Sequence, residues 1–219
     1  MNTLKLILLR HGRTAHNFGL RLTGWGDPDL DELGREQAEA AAQRLVQEFD
    51  IETIYSSPLK RARQTAEPLV RLTGHNPHIR DGLKELNFGE VEGLTMEEIR
   101  EKHPQLFVNN PRMDDPDFTW PGGESRLVFH TRVDKAMWEI IKHEAGKHKT
   151  VAVVAHGGSI AGFVAELKTG KPFVWRDFLL DNCQHYVVDV HFEQLPLERE
   201  EVKLEVAYTG RLVPLAPDK

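Results

Sequence analysis

The chain has 219 residues, 40% hydrophobic and 28% charged, a balance that supports a packed core and excludes a disordered chain. A formal charge of -6 argues against nucleic acid as a partner, so any anion site has to be a local basic pocket. The single cysteine, Cys183, cannot form an internal disulfide, which points to a reducing, cytoplasmic setting and a small buried apolar role for that residue.

Leu4 to Leu9 is a short, almost wholly apolar run, the pattern of a parallel strand covered on both faces. It is too short to span a membrane and leads into Arg10 and His11 instead of a cleavage site, so neither a membrane helix nor a signal peptide is expected. From Gly34 to Phe49, Ala38, Ala41, Ala42, Leu45, Val46 and Phe49 fall on one helical face, with Asp31 placed to cap it. Thr53 to Ser56 reads as a short strand, and Ser57 with Pro58 as the N-cap and first-turn proline of a helix reaching about Val70. Pro104, Pro111, Pro116 and Pro121 break the segment from about 103 to 123, which is expected to be an ordered excursion, either a lid or binding loop or a surface insertion.

A helix is expected from Glu124 or Ser125 to His143, with Val133, Met137, Ile140 and Ile141 on its buried face. Thr150 to Ala155 repeats the apolar run that ends in histidine and glycine, and another helix follows Gly158. Alternation at Tyr186, Val188 and Val190 and at Val202, Leu204 and Val206 predicts two late strands, one at an edge, separated by an acidic, solvated turn containing Pro196. The order implies one α/β domain over 1–219, a mainly parallel central sheet flanked by helices on both faces.

Arg10, His11 and Gly12 follow the first strand directly, at a carboxyl end of the sheet where open α/β proteins bind ligands. The tripeptide alone is weak evidence. His156 strengthens it, because it ends the second apolar strand and is followed by Gly157 and Gly158, where backbone can approach an anion. Arg61, about one turn into the helix that starts at the same edge, offers forked donors that match phosphate oxygens. Arg63 points elsewhere on that helix and is expected in a surface ion pair. His75 with His78, and His143 with His148, lack the partners of a metal box, so no metal and no cofactor is expected. Trp25, Trp120, Trp138 and Trp175 are expected in the core or a pocket wall.

Taken in order, these pieces resemble the histidine phosphatase superfamily, in the branch that holds cofactor-dependent phosphoglycerate mutases and related phosphatases. The resemblance is carried along nearly the whole chain by Leu-Arg-His-Gly at 9–12, Asn17, Leu-Thr-Gly-Trp at 22–25, Leu-Asp-Glu-Leu-Gly-Arg-Glu-Gln-Ala at 30–38, Ser-Ser-Pro-Leu-Lys-Arg-Ala-Arg-Gln-Thr-Ala at 56–66, Leu-Lys-Glu-Leu-Asn-Phe-Gly at 83–89, Pro-Gly-Gly-Glu-Ser at 121–125 and Ala-His-Gly-Gly at 155–158. It implies that His11 is the nucleophile that becomes phosphohistidine, while Arg10, Arg61 and His156 bind the transferring phosphoryl oxygens. Glu85 fits the proton-donor position, with Glu90 and Glu92 near enough in sequence to serve instead. Asn17, Thr23 and Gly24 match substrate-contacting positions, and Gly157 beside His156 joins them.

Arg13 departs from the family, which often has glutamate there. It is expected either at the pocket mouth, favouring substrates with a second anionic group, or paired with Asp27, Asp29 or another surface acid. The function implied is metal-independent hydrolysis of a small phosphorylated metabolite. One alternative is a mutase, although this chain has a compact excursion, with Arg112 its one obvious anion contact, where mutases carry a longer insertion. The other is a binding module of the same fold, which the intact set of Arg10, His11, Arg61 and His156 argues against. Neither nucleic acid nor membrane is expected as a partner, and a homodimer is left open.

Overall fold

In the computed structural model, which describes residues 1–108 and 115–210, the first apolar run is strand β1 (Asn2–Arg10). The chain continues through α1 (Ala15–Phe18), α2 (Glu32–Glu48), β2 (Thr53–Ser56), α3 (Lys60–Thr73), β3 (His78–Ile79), α4 (Met96–Lys102), α5 (Arg126–Glu144), β4 (Thr150–Ala155), α6 (Gly157–Thr169), β5 (His185–Phe192) and β6 (Lys203–Gly210). Side chains of β1 point alternately to opposite faces, and that alternation sorts the core. Leu4, Leu6 and Leu8 join Val133, Met137, Ile141, Ile160 and Val164 of α5 and α6. Ile7 and Leu9 join Ala38, Ala42, Leu45, Ala62 and Leu69 of α2 and α3 on the other side.

The strands lie in one sheet, in the order β3-β2-β4-β1-β5-β6. β1, β2, β3 and β4 run parallel, β5 pairs antiparallel with β1, and β6 pairs antiparallel with β5, so the sheet is mainly parallel in a single α/β domain. Arg10 pairs with Ala155, which brings both strand ends to one level and sets His11 beside His156. Asp31 caps α2 by accepting from the Gly34 amide at 2.8 Å, and Ser125 caps α5 by accepting from the Val128 amide at 3.2 Å. Asp31 caps where the sequence placed it, and α5 opens one residue after Ser125, the later of its two expected starts.

The start of α3 differs from expectation. The helix opens at Lys60 with Leu59 in the cap position, and the Ser57 hydroxyl accepts from the Leu59 amide at 3.3 Å while it engages His156 at 2.8 Å. Three short elements had no sequence signal strong enough to stand out: α1, α4 and the two-residue edge strand β3. Within the proline-rich excursion, Pro104–Phe107 forms a 3-10 turn, and Trp120 is buried edge-on against Phe118 at 5.0 Å between ring centroids. Arg112 lies outside the described residues. No helix among the described residues is long and apolar enough to cross a membrane.

Candidate active site

Residues from five separate stretches of chain meet at the carboxyl ends of β1 and β4. Arg10, His11, Asn17, Arg21, Leu22, Thr23, Gly24, Arg61, Glu85, Phe88 and Gly157 line one cavity of about 120 Å³. His11 follows β1 directly, and its Nδ1 hydrogen donates to the Gly12 carbonyl at 2.8 Å. Burial, with Arg61 and Arg10 close by, holds this imidazole well below its usual range. The ring is therefore neutral, with its proton on Nδ1 and a lone pair on Nε2.

Arg61 is 1% exposed, and its Nη1 and Nη2 donate to the carbonyls of Gly26 and Gly24, each at 2.7 Å. Burial pushes it down to about 10, opposed by Glu85, Asp27 and Glu92, so it stays charged at neutral pH. Arg10 donates from Nη1 to the Leu180 carbonyl. The Nε atoms of both arginines are buried without a protein partner, as is Nδ1 of His156. Uncommitted donors on two cations beside a neutral imidazole suit an anion with several oxygens. The His156 ring lies 5.2 Å from that of His11, between centroids, and is also held neutral by burial and by Arg61.

Glu85 sits opposite. Its Oε2 accepts from the Gly158 amide at the start of α6 at 2.8 Å, and its Oε1 from the Leu86 amide at 2.9 Å. A Cβ on residue 158 would lie 2.4 Å from Oε1, so glycine is what lets the carboxylate come this close. The neighbouring acids separate cleanly. Glu92 accepts from the amides of Trp25 and Gly26 at 2.7 Å and of Phe88 at 3.1 Å, a structural carboxylate locked into backbone. Glu90 is exposed and does not line the cavity.

Asn17, Thr23, Gly24 and Gly157 all reach the cavity wall. Gly24 has φ +54, and a Cβ there would lie 2.1 Å from the Glu92 carboxylate. Arg13 does not line the cavity: Asp31 holds its Nε at 2.8 Å, and the guanidinium lies over the Phe18 ring. The expected place at the pocket mouth is thus corrected to the surface ion pair. Arg63 is exposed and makes no ion pair among the described residues. His143 and His148 both turn to the buried carboxylate of Glu144.

Three residues of the site were not singled out from the sequence. Ser57 engages Nε2 of His156. Asn182 donates from Nδ2 to the His11 carbonyl at 3.0 Å and to Oδ1 of Asn17 at 3.3 Å. Arg132 on α5 donates to the carbonyls of Glu85 at 2.7 Å and Lys84 at 2.8 Å, and pairs with Glu124 at 2.5 Å. All three act through contacts distant in sequence, which no local pattern announces.

Comparison with known proteins agrees with this geometry. Residues 6–202 match the family model of the histidine phosphatase superfamily, branch 1. The chain is 37% identical over 172 residues to a glucosyl-3-phosphoglycerate phosphatase of Mycolicibacterium vanbaalenii, covering 76% of this chain and 75% of that protein. It is 34% identical over 196 residues to a 2,3-bisphosphoglycerate-dependent phosphoglycerate mutase of Brucella anthropi, covering 78% of this chain and 91% of that one. The native structure of a mycobacterial glucosyl-3-phosphoglycerate phosphatase superposes with a TM-score of 0.80 at 30% identity, covering 94% of this chain and 98% of its own. The matched span includes both strand ends and every residue of the cavity wall, so the chain belongs to the histidine phosphatase superfamily and is a phosphoric monoester hydrolase.

Proposed function

We propose that this enzyme hydrolyses a small phosphorylated metabolite through a phosphohistidine on His11, without a metal. The observation that carries the reading is the His11 tautomer: Nδ1–H is tied to the Gly12 carbonyl, and His11 lies in the wall of a cavity that also holds Arg10, Arg61 and Glu85. The lone pair of Nε2 attacks phosphorus as the bond to the leaving oxygen breaks, and Glu85 gives that oxygen its proton. Water then attacks the phosphohistidine, Glu85 takes a proton from it, and inorganic phosphate leaves with His11 restored. Negative charge on the equatorial oxygens is met by the two guanidinium groups, the part a divalent ion plays in other phosphatases.

His11→Ala is expected to lower kcat by several orders of magnitude, since the remaining groups position phosphate but cannot accept it. Wild-type enzyme quenched in alkali during turnover of an aryl phosphate should carry one acid-labile phosphate, and dialysis against EDTA should leave the rate unchanged. Near-normal turnover by His11→Ala, or a rate restored only by a divalent ion, contradicts the mechanism. A mutase would instead isomerise a phosphoglycerate faster than it releases phosphate, in a manner dependent on a bisphosphorylated primer, and measuring both products in one reaction separates the two.

A further inference from the structure

Arg21 shares the cavity wall with Arg10, His11, Arg61 and Glu85, and the mechanism above gives it no part. Its Nη1 is fully spent, donating to the Gly93 carbonyl at 2.7 Å and to Oε2 of Glu98 at 2.6 Å. Glu98 is itself fixed, because the same oxygen accepts from the Thr95 amide at 2.8 Å in the capping box that opens α4. The guanidinium is thus held by one corner. Nη1 lies on the side away from Nε–H, so the edge left over is Nε with Nη2, the pair of parallel donors that grips a carboxylate with two hydrogen bonds. Neither atom has a bond to any described residue, and the side chain is 37% exposed.

We propose that Arg21 is a specificity-determining residue, whose free Nε and Nη2 edge takes a carboxylate carried by the same small ester whose phosphoryl group sits at His11. The proposal rests on the phosphatase reading and adds a substrate class to it. A cavity of about 120 Å³ with both His11 and Arg21 in its wall has the volume of a phosphoryl group and a few carbons, the size of one small ester. Glu85, on that wall as well, repels a second anion when ionised. Arg13, the other arginine near the catalytic loop, is already committed to Asp31. Arg10, held through Nη1 on the Leu180 carbonyl, has the same kind of edge, but the mechanism above spends it and Nε of Arg61 on the phosphoryl oxygens, which leaves the Arg21 edge for a second anion.

The test uses the full-length enzyme and measures competitive inhibition of aryl phosphate turnover by two esters, 3-phosphoglycerate and glycerol 3-phosphate, which differ by a carboxylate in place of a hydroxymethyl group. Wild type is expected to bind the carboxylate ester more tightly, and Arg21→Met to shrink the ratio of the two inhibition constants by about tenfold, the effect of one bidentate charge-assisted pair at a half-exposed site. Arg21→Lys keeps a cation on Glu98 but lacks the fork, so it should give an intermediate ratio, and it carries the test if Arg21→Met is unstable. Discrimination should also weaken as ionic strength rises. A ratio equal in wild type and both variants, or losses shared evenly by the two esters, overturns the proposal while leaving the phosphatase reading intact. Turnover that is absent in wild type, or unaffected by His11→Ala, removes the phosphatase reading and this proposal with it.

Discussion

The role proposed for His11 requires a ring that is neutral before substrate arrives. Its depressed pKa, caused by burial and then by Arg61 and Arg10, keeps Nε2 unprotonated as the pH falls through the ordinary histidine range near 6.5. In the ligand-free enzyme, NMR shifts of the His11 ring should therefore show the neutral Nδ1–H tautomer at pH 6, and an imidazolium signal there contradicts this account. Glu85 makes a different contribution. If it protonates the leaving oxygen, Glu85→Gln should slow alkyl phosphates far more than nitrophenyl phosphate, whose leaving group departs without a proton. Equal losses on both would assign Glu85 a purely structural role. Among the described residues the Asn182 side chain hydrogen-bonds to the His11 carbonyl and Asn17, so Asn182→Ala should cost about one neutral hydrogen bond, roughly a tenfold loss in kcat with KM nearly unchanged. The meeting of His11 and His156 was legible from sequence because each ends an apolar run and precedes glycine. Asn182 was not, since nothing local distinguishes it from a turn residue.

The helices act on the site through their first turns. α2 lies so close to the loop that follows β1 that a Cβ on Gly34 would sit 2.0 Å from the Arg13 carbonyl, and one on Gly12 would sit 2.4 Å from the Gly34 carbonyl. These are backbone atoms of packed elements and cannot swing aside as a side-chain end does. Gly34→Ala is expected to destabilise the fold by roughly 3 kcal/mol and to lower activity further in whatever protein remains folded. A thermal melt and a rate per folded molecule check the two halves separately. At α6 the interlock is with a carboxylate, so Gly158→Ala should mimic the leaving-group dependence of Glu85→Gln while leaving stability less affected. Elements with a long apolar face, such as α2 and α5, were readable because their periodicity is sustained over several turns. The start of α3 was misplaced because the Ser57 hydroxyl, which accepts from the Leu59 amide, also serves a tertiary partner, His156, that no local pattern announces.

Across the whole molecule, the sheet divides two cores, and the sequence carried that division in the strands whose both faces are apolar. It did not carry the pairing of Tyr55 on β2 with Glu144 at the end of α5, where the carboxylate is 1% exposed and also meets His143 at 2.7 Å and His148 at 2.5 Å. Burial raises the Glu144 pKa, and the hydrogen bonds from Tyr55, His148 and His143 outweigh it, bringing the group down to about 2. A carboxyl depressed in the folded state stabilises it above its unfolded pKa near 4.5, and that contribution is lost as the pH falls toward 2. Glu144→Gln should therefore flatten the acid limb of the stability curve between those values, besides lowering stability at neutral pH. Denaturant midpoints against pH decide it, and an unchanged acid limb would assign the acid sensitivity to other carboxylates.

Cys183 sits against the end of β1, its amide hydrogen-bonded to the carbonyls of Arg10 at 3.2 Å and His11 at 3.3 Å, in the left-handed region at φ +57. Its thiol is fully buried, and burial pushes it up to about 12 despite Arg10, so almost no thiolate forms at physiological pH. Peroxide and alkylating agents attack thiolates, and phosphatases that use one as nucleophile are silenced by them. With the proposed phosphoryl acceptor on nitrogen and the nearby sulfur kept protonated, this enzyme should go on turning over under oxidative conditions that stop cysteine-dependent phosphatases, a tolerance measurable as full activity after peroxide or iodoacetamide treatment.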